Sequence, residues 1–184
     1  MKAPFPKLYA DFVARLRVPC GFLLVAAFAW FSHPDARSLA CGLPLSLLGL
    51  ALRAWAAGNL AKNQTLASSG PYAFTRNPLY LGTLLAAAGF AIASRNVALA
   101  LLFGAVFLFV YLPVIQLEQQ HLHSLFPDYA IYAARVPALL PRLTPAGPTR
   151  GFRWRQYIKN REYEAAAGFL AGALLLLWKA SAKL

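Results

Sequence analysis

The sequence predicts an all-α integral membrane protein with about five transmembrane helices. Of its 184 residues, 59% are hydrophobic and only 13% are charged, whereas soluble domains carry about 25% charged residues. The apolar residues are gathered into runs that approach the roughly 20 residues needed to cross a bilayer as a helix. These runs are rich in Ala and Leu and lack the alternation that is typical of strands, so the spans are predicted to be helical.

Five apolar segments account for the predicted spans. They lie at about Val18–Phe31, Ser38–Leu60, Leu79–Ala93, Asn96–Leu117 and Glu164–Lys179. The first and third are short for a span. The connections at 33–35 and 94–95 are so brief that they predict helical hairpins. Pro44 and Pro113 fall inside spans, and we expect each of them to kink its helix.

These segments predict a single membrane domain over residues 1–184. Residues 1–17 are expected to be an interfacial segment, 18–117 to hold four transmembrane helices, and 164–184 to form the fifth. Residues 118–163 are expected to be cytoplasmic, with Pro137–Pro148 as an extended, proline-rich connector. Cys20 and Cys41 have no ligand-spaced partner, so we expect two small buried side chains and neither a disulfide framework nor a metal site.

The net charge of +12 predicts an orientation and not nucleic-acid binding, because the basic residues lie in loops between apolar runs. Outside the spans, four cations, Arg37, Arg95, Lys179 and Lys183, lie on one side, and the others, from Lys2 to Arg161, lie on the opposite side. The positive-inside rule then predicts a multi-pass inner (plasma) membrane protein with a cytoplasmic N-terminus. The segment Arg150–Arg161 alternates basic and aromatic residues, which favours contact with anionic lipid over contact with a substrate.

The segment Gly70–Gly82, GPYAFTRNPLYLG, carries the first candidate site. Gly70 begins a turn, Asn77 is placed as a helix N-cap, and Pro78 is placed as the first residue of the third span. The positive end of that helix and the planar guanidinium of Arg76 together suit a carboxylate or phosphate. The alternative is an ordinary helix start whose arginine binds lipid headgroups.

The second candidate segment begins at Glu118, where the fourth span is expected to leave the membrane. A carboxylate there requires a partner, and we considered Arg76, Arg53 or the ammonium group of a ligand. His121 and His123 are two residues apart, so they face different sides of a helix and do not favour a metal site. Tyr129 and Tyr132 share a helix face and could line an adenine or lipid pocket or belong to an interfacial aromatic belt.

With these residues in view, the sequence resembles the isoprenylcysteine carboxyl methyltransferase and phospholipid methyltransferase family of membrane enzymes. The resemblance is carried by LRAWAAGNLAKNQTLASSGPYAFTRNPLYLG, Leu52–Gly82, and by the pair Glu118-Gln119 with the residues downstream to Pro137. It covers roughly residues 52–141. The family usually has two adjacent acidic residues where this chain has Glu118-Gln119. Gln119 can form hydrogen bonds but cannot neutralise a cation.

The resemblance implies a methyltransferase that binds S-adenosylmethionine in a helical region on the cytoplasmic side and methylates a lipid, prenylated or other apolar acceptor at the membrane. It implies catalytic roles for Arg76 and Glu118. The predicted cofactor-binding set is Lys62, Asn63, Gly70, Tyr72, Arg76, Asn77, Pro78, Tyr80, Gly82, Glu118, Gln119, His121, Leu122, Tyr129 and Tyr132. Membrane lipids are the predicted partners, and no oligomeric state is predicted.

Two other functions are compatible with the same residues. One is a nicotinamide-dependent membrane reductase of sterol-reductase type, although a cofactor with several phosphates would call for more Arg and Lys around the pocket. The other is a non-catalytic membrane binding protein, which the single acidic residue at Glu118 would suit. S-adenosylhomocysteine should stabilise only the methyltransferase against heat, and a nicotinamide dinucleotide only the reductase.

Overall fold

The computed structural model describes residues 5–148 and 150–182, and within these ranges the chain is helical and has no strand. This confirms the predicted all-α class. The described residues form seven α-helices, which are α1 Lys7–Phe31, α2 Ala36–Asn59, α3 Pro78–Ser94, α4 Val97–Leu125, α5 Tyr129–Arg135, α6 Trp154–Lys159 and α7 Tyr163–Ser181. A 3₁₀ turn, Gly70–Ala73, precedes α3. Lys2 and Lys183, which were counted in the charge argument, lie outside the described residues.

Four of these helices, α1, α2, α4 and α7, are long and apolar enough to cross a membrane. Helix α3 is apolar but has 17 residues, so at 1.5 Å per residue it rises about 26 Å and falls short of a hydrocarbon core of about 30 Å. The predicted third span is therefore present as the short helix that its sequence indicated. Helix α1 begins at Lys7, so residues 7–17 continue directly into the first span.

By their contacts, the residues form two compact units. The first comprises Met1–Pro44, Ala87–His121 and Gly172–Leu184, and the second comprises Leu45–Ala86 and Leu122–Ala171. Because the boundaries fall inside helices, α2, α3, α4 and α7 each contribute residues to both units.

In the first unit, α1 is joined to α4 where α4 departs from regular geometry. Residues Phe107–Tyr111 form a π-helical turn just before Pro113. Proline has no N–H to donate to the carbonyl four residues earlier, which belongs to Phe109. The hydroxyl of Tyr9 donates to that carbonyl at 2.7 Å. A π-helical turn thus lies just before Pro113, where a kink was predicted, and α1 supplies a donor for the carbonyl of Phe109.

A second contact region of the first unit is a small apolar cluster of Leu39, Ala93 and Leu176, which lie on α2, α3 and α7. Lys179 reaches back to the end of α1, where its ammonium group donates to the carbonyl of Ala29 at 2.8 Å and to the hydroxyl of Ser32 at 3.1 Å. Capping of these polar groups is needed because helix ends leave unpaired carbonyls.

In the second unit, α2 and α3 approach each other closely at Gly82. A Cβ on Gly82 would lie 2.6 Å from Cγ of Arg53 and 2.7 Å from the carbonyl oxygen of Gly49. Small residues allow such close approach of membrane helices. Gly82, which ends the first candidate segment, therefore lies where α2 and α3 pack together.

The two cysteines differ from their predicted burial. Cys41 is exposed and Cys20 is only partly buried, and both are free thiols. Each lies on a helix apolar enough to span a membrane. The prediction of burial was wrong because apolar residues on such helices can face lipid as readily as protein.

Candidate functional site

The motif around Arg76 is held in place by the proline-rich connector. Four backbone hydrogen bonds of 2.9–3.1 Å join the segment 70–76 to the connector; they run from Arg76 N to Pro137 O, Arg142 N to Phe74 O, Ala146 N to Ala73 O, and Gly70 N to Pro148 O. The connector has neither helix nor strand, yet it satisfies the backbone groups of the motif. The connector is therefore fixed to the candidate site by hydrogen bonds and is not a free linker.

Side-chain hydrogen bonds add to these backbone contacts between the connector and the start of α3. The hydroxyl of Thr75 donates to the carbonyl of Leu139 at 3.0 Å, and the amide of Asn77 donates to that of Ala138 at 2.7 Å. Helix α3 begins at Pro78, as predicted, with the carbonyl of Asn77 accepting from the N–H of Leu81 at 3.0 Å. Thr75 is 2% exposed and was not among the predicted site residues. A short polar residue beside Arg76 was the only signal for it.

The guanidinium of Arg76 is incompletely satisfied. Its Nη1 lies 3.5 Å from the hydroxyl of Tyr129, at the outer limit of a hydrogen bond. Its Nε is buried and has no hydrogen-bond partner among the described residues, and none of them forms a salt bridge with it. Because a buried cationic donor without an acceptor is costly, this arrangement favours an anion from outside the chain.

Two buried tyrosines, Tyr129 and Tyr132, lie near Arg76. The rings of Tyr129 and Tyr132 are 6.1 Å apart, and the hydroxyl of Tyr132 donates to the carbonyl of Tyr72 at 2.8 Å. Burial raises the pKa of both tyrosines above the usual value, and for Tyr129 the nearby Arg76 partly opposes that rise. The two tyrosines are 1% and 9% exposed, which argues against the alternative of an interfacial aromatic belt.

A buried amide lies at the start of the same motif. Asn59 is 5% exposed; its Nδ2 donates to the carbonyl of Trp55 at 3.0 Å, whereas its Oδ1 has no partner among the described residues. Gly70 lies against it with a φ of +61°, and a Cβ there would come within 2.9 Å of the amide. Glycine is required on both counts. Asn59 thus offers an acceptor without a partner among the described residues. The sequence carries no signal of this, because a polar residue that ends an apolar helix is common.

The predicted set is divided between the two units. Glu118, Gln119 and His121 belong to the first unit, where Glu118 lies 4.0 Å from Arg17. Arg53, which we had considered as a partner of Glu118, binds Glu162 at 2.6 Å in the second unit. All the other predicted residues belong to the second unit. There Arg76, Tyr129, Tyr132 and Tyr72 are brought together and Leu122 packs on the tyrosines, while Lys62 and Asn63 are exposed in the loop after α2.

Residues 38–129 match the phospholipid methyltransferase family. The matched range is half of the chain and includes α3, the Arg76 motif and Glu118. The chain therefore belongs to the phospholipid methyltransferase family, which indicates a membrane methyltransferase.

Two relatives carry names from metal resistance. The chain is 39% identical over 108 residues to the cobalt-zinc-cadmium resistance protein CzcN of Cupriavidus metallidurans, a match that covers 55% of this chain and 50% of the relative. It is 30% identical over 135 residues to the nickel-cobalt-cadmium resistance protein NccN of Alcaligenes xylosoxydans xylosoxydans, covering 70% and 63%. The matches thus span about half to under two thirds of these relatives. No solved structure matches the chain significantly.

Proposed function

We propose that this protein is an S-adenosylmethionine-dependent methyltransferase whose acceptor is a membrane lipid or another apolar molecule. Family membership supports methyl transfer. The observation that carries the choice of cofactor is the unpartnered Nε of Arg76, since the amino-acid part of this cofactor presents a carboxylate.

The residues of the second unit fit such a cofactor. Arg76 offers a planar, permanently charged guanidinium for the carboxylate, and the start of α3 adds the positive end of the helix dipole. The rings of Tyr129 and Tyr132 offer faces for stacking. The free Oδ1 of Asn59 could accept from an amine or a hydroxyl. When bound, the cofactor would supply an electrophilic methyl group.

In this proposal, the protein contributes orientation more than proton transfer. Displacement at a methyl group needs the nucleophile in line and free of water. The hydrogen bonds between the motif and the connector fix the backbone at Arg76, so an anion bound by Arg76 would be held in one place. Glu118 stays a sequence-based prediction as the partner of an ammonium group. It is 49% exposed beside Arg17. Gln119 would contribute hydrogen bonds only.

The orientation in the membrane is part of the same proposal. The distribution of Lys and Arg supports a cytoplasmic N-terminus, which would place the Arg76 motif where the cofactor is made. The acceptor would enter from the bilayer, since four helices are long and apolar enough to lie in it.

Calorimetric titration of the purified full chain with S-adenosylhomocysteine tests the proposal. We expect binding, and we expect Arg76→Ala to weaken it roughly 10- to 100-fold, because a charge-assisted hydrogen bond contributes about 1.5–3 kcal/mol. Arg37→Ala, which removes an exposed arginine at the start of α2, should bind like the wild type. Equal affinity of wild type and Arg76→Ala would refute the site, and stabilisation by a nicotinamide dinucleotide instead would favour the reductase.

The names of the relatives support a wider proposal, that methylation by this chain contributes to tolerance of divalent metals such as cobalt, zinc and cadmium. Expression of the wild type in a metal-sensitive host should then raise the tolerated concentration, and Arg76→Ala should not. If both proteins raise tolerance equally, methylation is not the source.

A further inference from the structure

The segment Arg150–Arg161 is fixed to the end of a membrane-spanning helix. Its side chains donate to two of the last carbonyls of α2 and to the carbonyl of Leu60, which follows the helix: Arg153 Nε to Gly58 O at 3.3 Å, Asn160 Nδ2 to Ala57 O at 2.8 Å and to Leu60 O at 2.9 Å, and Gln156 Nε2 to Leu60 O. Carbonyls at a helix end lack donors from a following turn of helix, so side-chain donors such as these help to satisfy them. Because α2 is long and apolar enough to cross the bilayer, its end marks the membrane–water interface, and α6 lies at that level.

The same segment exposes large apolar side chains. Phe152, Trp154 and Tyr157 form a cluster with ring centroids 4.9–5.6 Å apart. Trp154 is nevertheless 70% exposed, and Ile158 on the following turn is 54% exposed. The rings contact one another, and Trp154 and Ile158 are exposed beside them, so the cluster forms an outward-facing surface. Exposed aromatic and aliphatic groups at this level are typical of side chains that enter the lipid interface.

Basic residues are interspersed with the aromatic residues along this segment. Exposed basic residues occur at positions 150, 153, 155, 159 and 161. Of the two acidic residues nearby, Glu162 is buried against Arg53, and Glu164 is bound to Arg161 at 2.5 Å. The charge that remains facing outward is therefore strongly positive, and it complements a surface of negative headgroups.

We propose that residues 150–161 form a docking surface for anionic phospholipids. Trp154 and Ile158 enter the headgroup–acyl boundary, and Arg155 and Lys159 bind the headgroup phosphates. The partner is the lipid and not a free anion, since a free anion would gain nothing from the apolar residues. This surface is separate from the proposed cofactor site and does not depend on methyl transfer.

Native mass spectrometry of the full chain in detergent, titrated with phosphatidylglycerol or phosphatidylcholine, tests the proposal. We expect the wild type to prefer phosphatidylglycerol. The double variant Arg155→Gln/Lys159→Gln should bind this lipid roughly 10- to 30-fold more weakly, because each cation near an anionic surface raises the affinity about fivefold. Both residues are exposed, so the fold should be retained, and thermal unfolding checks this.

Two further variants separate the possible causes. Arg15→Gln/Arg37→Gln removes the same charge from two exposed positions elsewhere and should keep the preference. Trp154→Ala should weaken binding of both lipids. The proposal is overturned if Arg155→Gln/Lys159→Gln keeps the preference, if the control loses it equally, or if Trp154→Ala binds both lipids like the wild type. Competition by glycerol phosphate at concentrations near that of the lipid would point to a free-anion site instead.

Discussion

Arg53 and Glu162 form a buried ion pair that joins three helices. The Nε of Arg53, on α2, lies 2.6 Å from Oε1 of Glu162, the residue just before α7, and its Nη1 donates to the hydroxyl of Thr83 on α3. The side chains are 24% and 8% exposed. Ionisable groups at membrane depth are costly unless they are paired, so this contact fixes how α2, α3 and the start of α7 are arranged.

Glu162→Gln should therefore destabilise the fold strongly. Loss of the carboxylate leaves a largely buried guanidinium without its counter-charge, which costs about 3–5 kcal/mol in comparable buried pairs. Thermal unfolding of the purified variant in detergent would show a much lower Tm. The double variant Arg53→Met/Glu162→Leu should recover part of the loss, because it removes both charges.

Glu164→Gln is the matched control for Glu162→Gln. Glu164 binds Arg161 at 2.5 Å, but both side chains are more than half exposed, and exposed pairs contribute about 0–1 kcal/mol. The same substitution two residues away should thus leave Tm nearly unchanged. A similar decrease in Tm for the two variants would contradict the larger contribution to stability that we assign to the Arg53–Glu162 pair.

Gly82→Ala should destabilise the packing of α2 against α3. The added methyl would lie 2.7 Å from the backbone oxygen of Gly49, which cannot move without moving α2, and such overpacking costs about 1–3 kcal/mol. Gly104→Ala is the control, because a Cβ on Gly104 meets nothing within 4 Å. It should be neutral or slightly stabilising in the same thermal assay, since alanine favours helix. A Gly82→Ala variant as stable as Gly104→Ala would contradict the close approach.

Helices α1, α2, α3, α4 and α7 could be predicted because each is encoded by a local apolar run. The start of α3 could be predicted because Asn77 and Pro78 carry local cap chemistry. The partners of the charged residues could not be predicted. Arg53 and Glu162 are 109 residues apart, and nothing local in either segment names the other. The same holds for the connector, whose prolines indicate an extended chain but not the backbone groups that it would satisfy.

The hydroxyl of Tyr132 should make stability fall at alkaline pH. Burial, and secondly Tyr129, raise the pKa of Tyr132 far above its ordinary value near 10. Above about pH 10 the tyrosine of the unfolded chain releases its proton, while the folded chain keeps it. The free energy of unfolding therefore falls as pH rises, by up to about 1.4 kcal/mol per pH unit.

The variant Tyr132→Phe should be less stable at neutral pH, because the carbonyl of Tyr72 loses its donor. Its Tm should nevertheless decline less steeply than that of the wild type above about pH 10. Tyr163→Phe, which removes an exposed hydroxyl, is the control and should follow the wild-type curve. Parallel curves for wild type and Tyr132→Phe would show that this hydroxyl ionises as easily in the folded protein as in the unfolded chain.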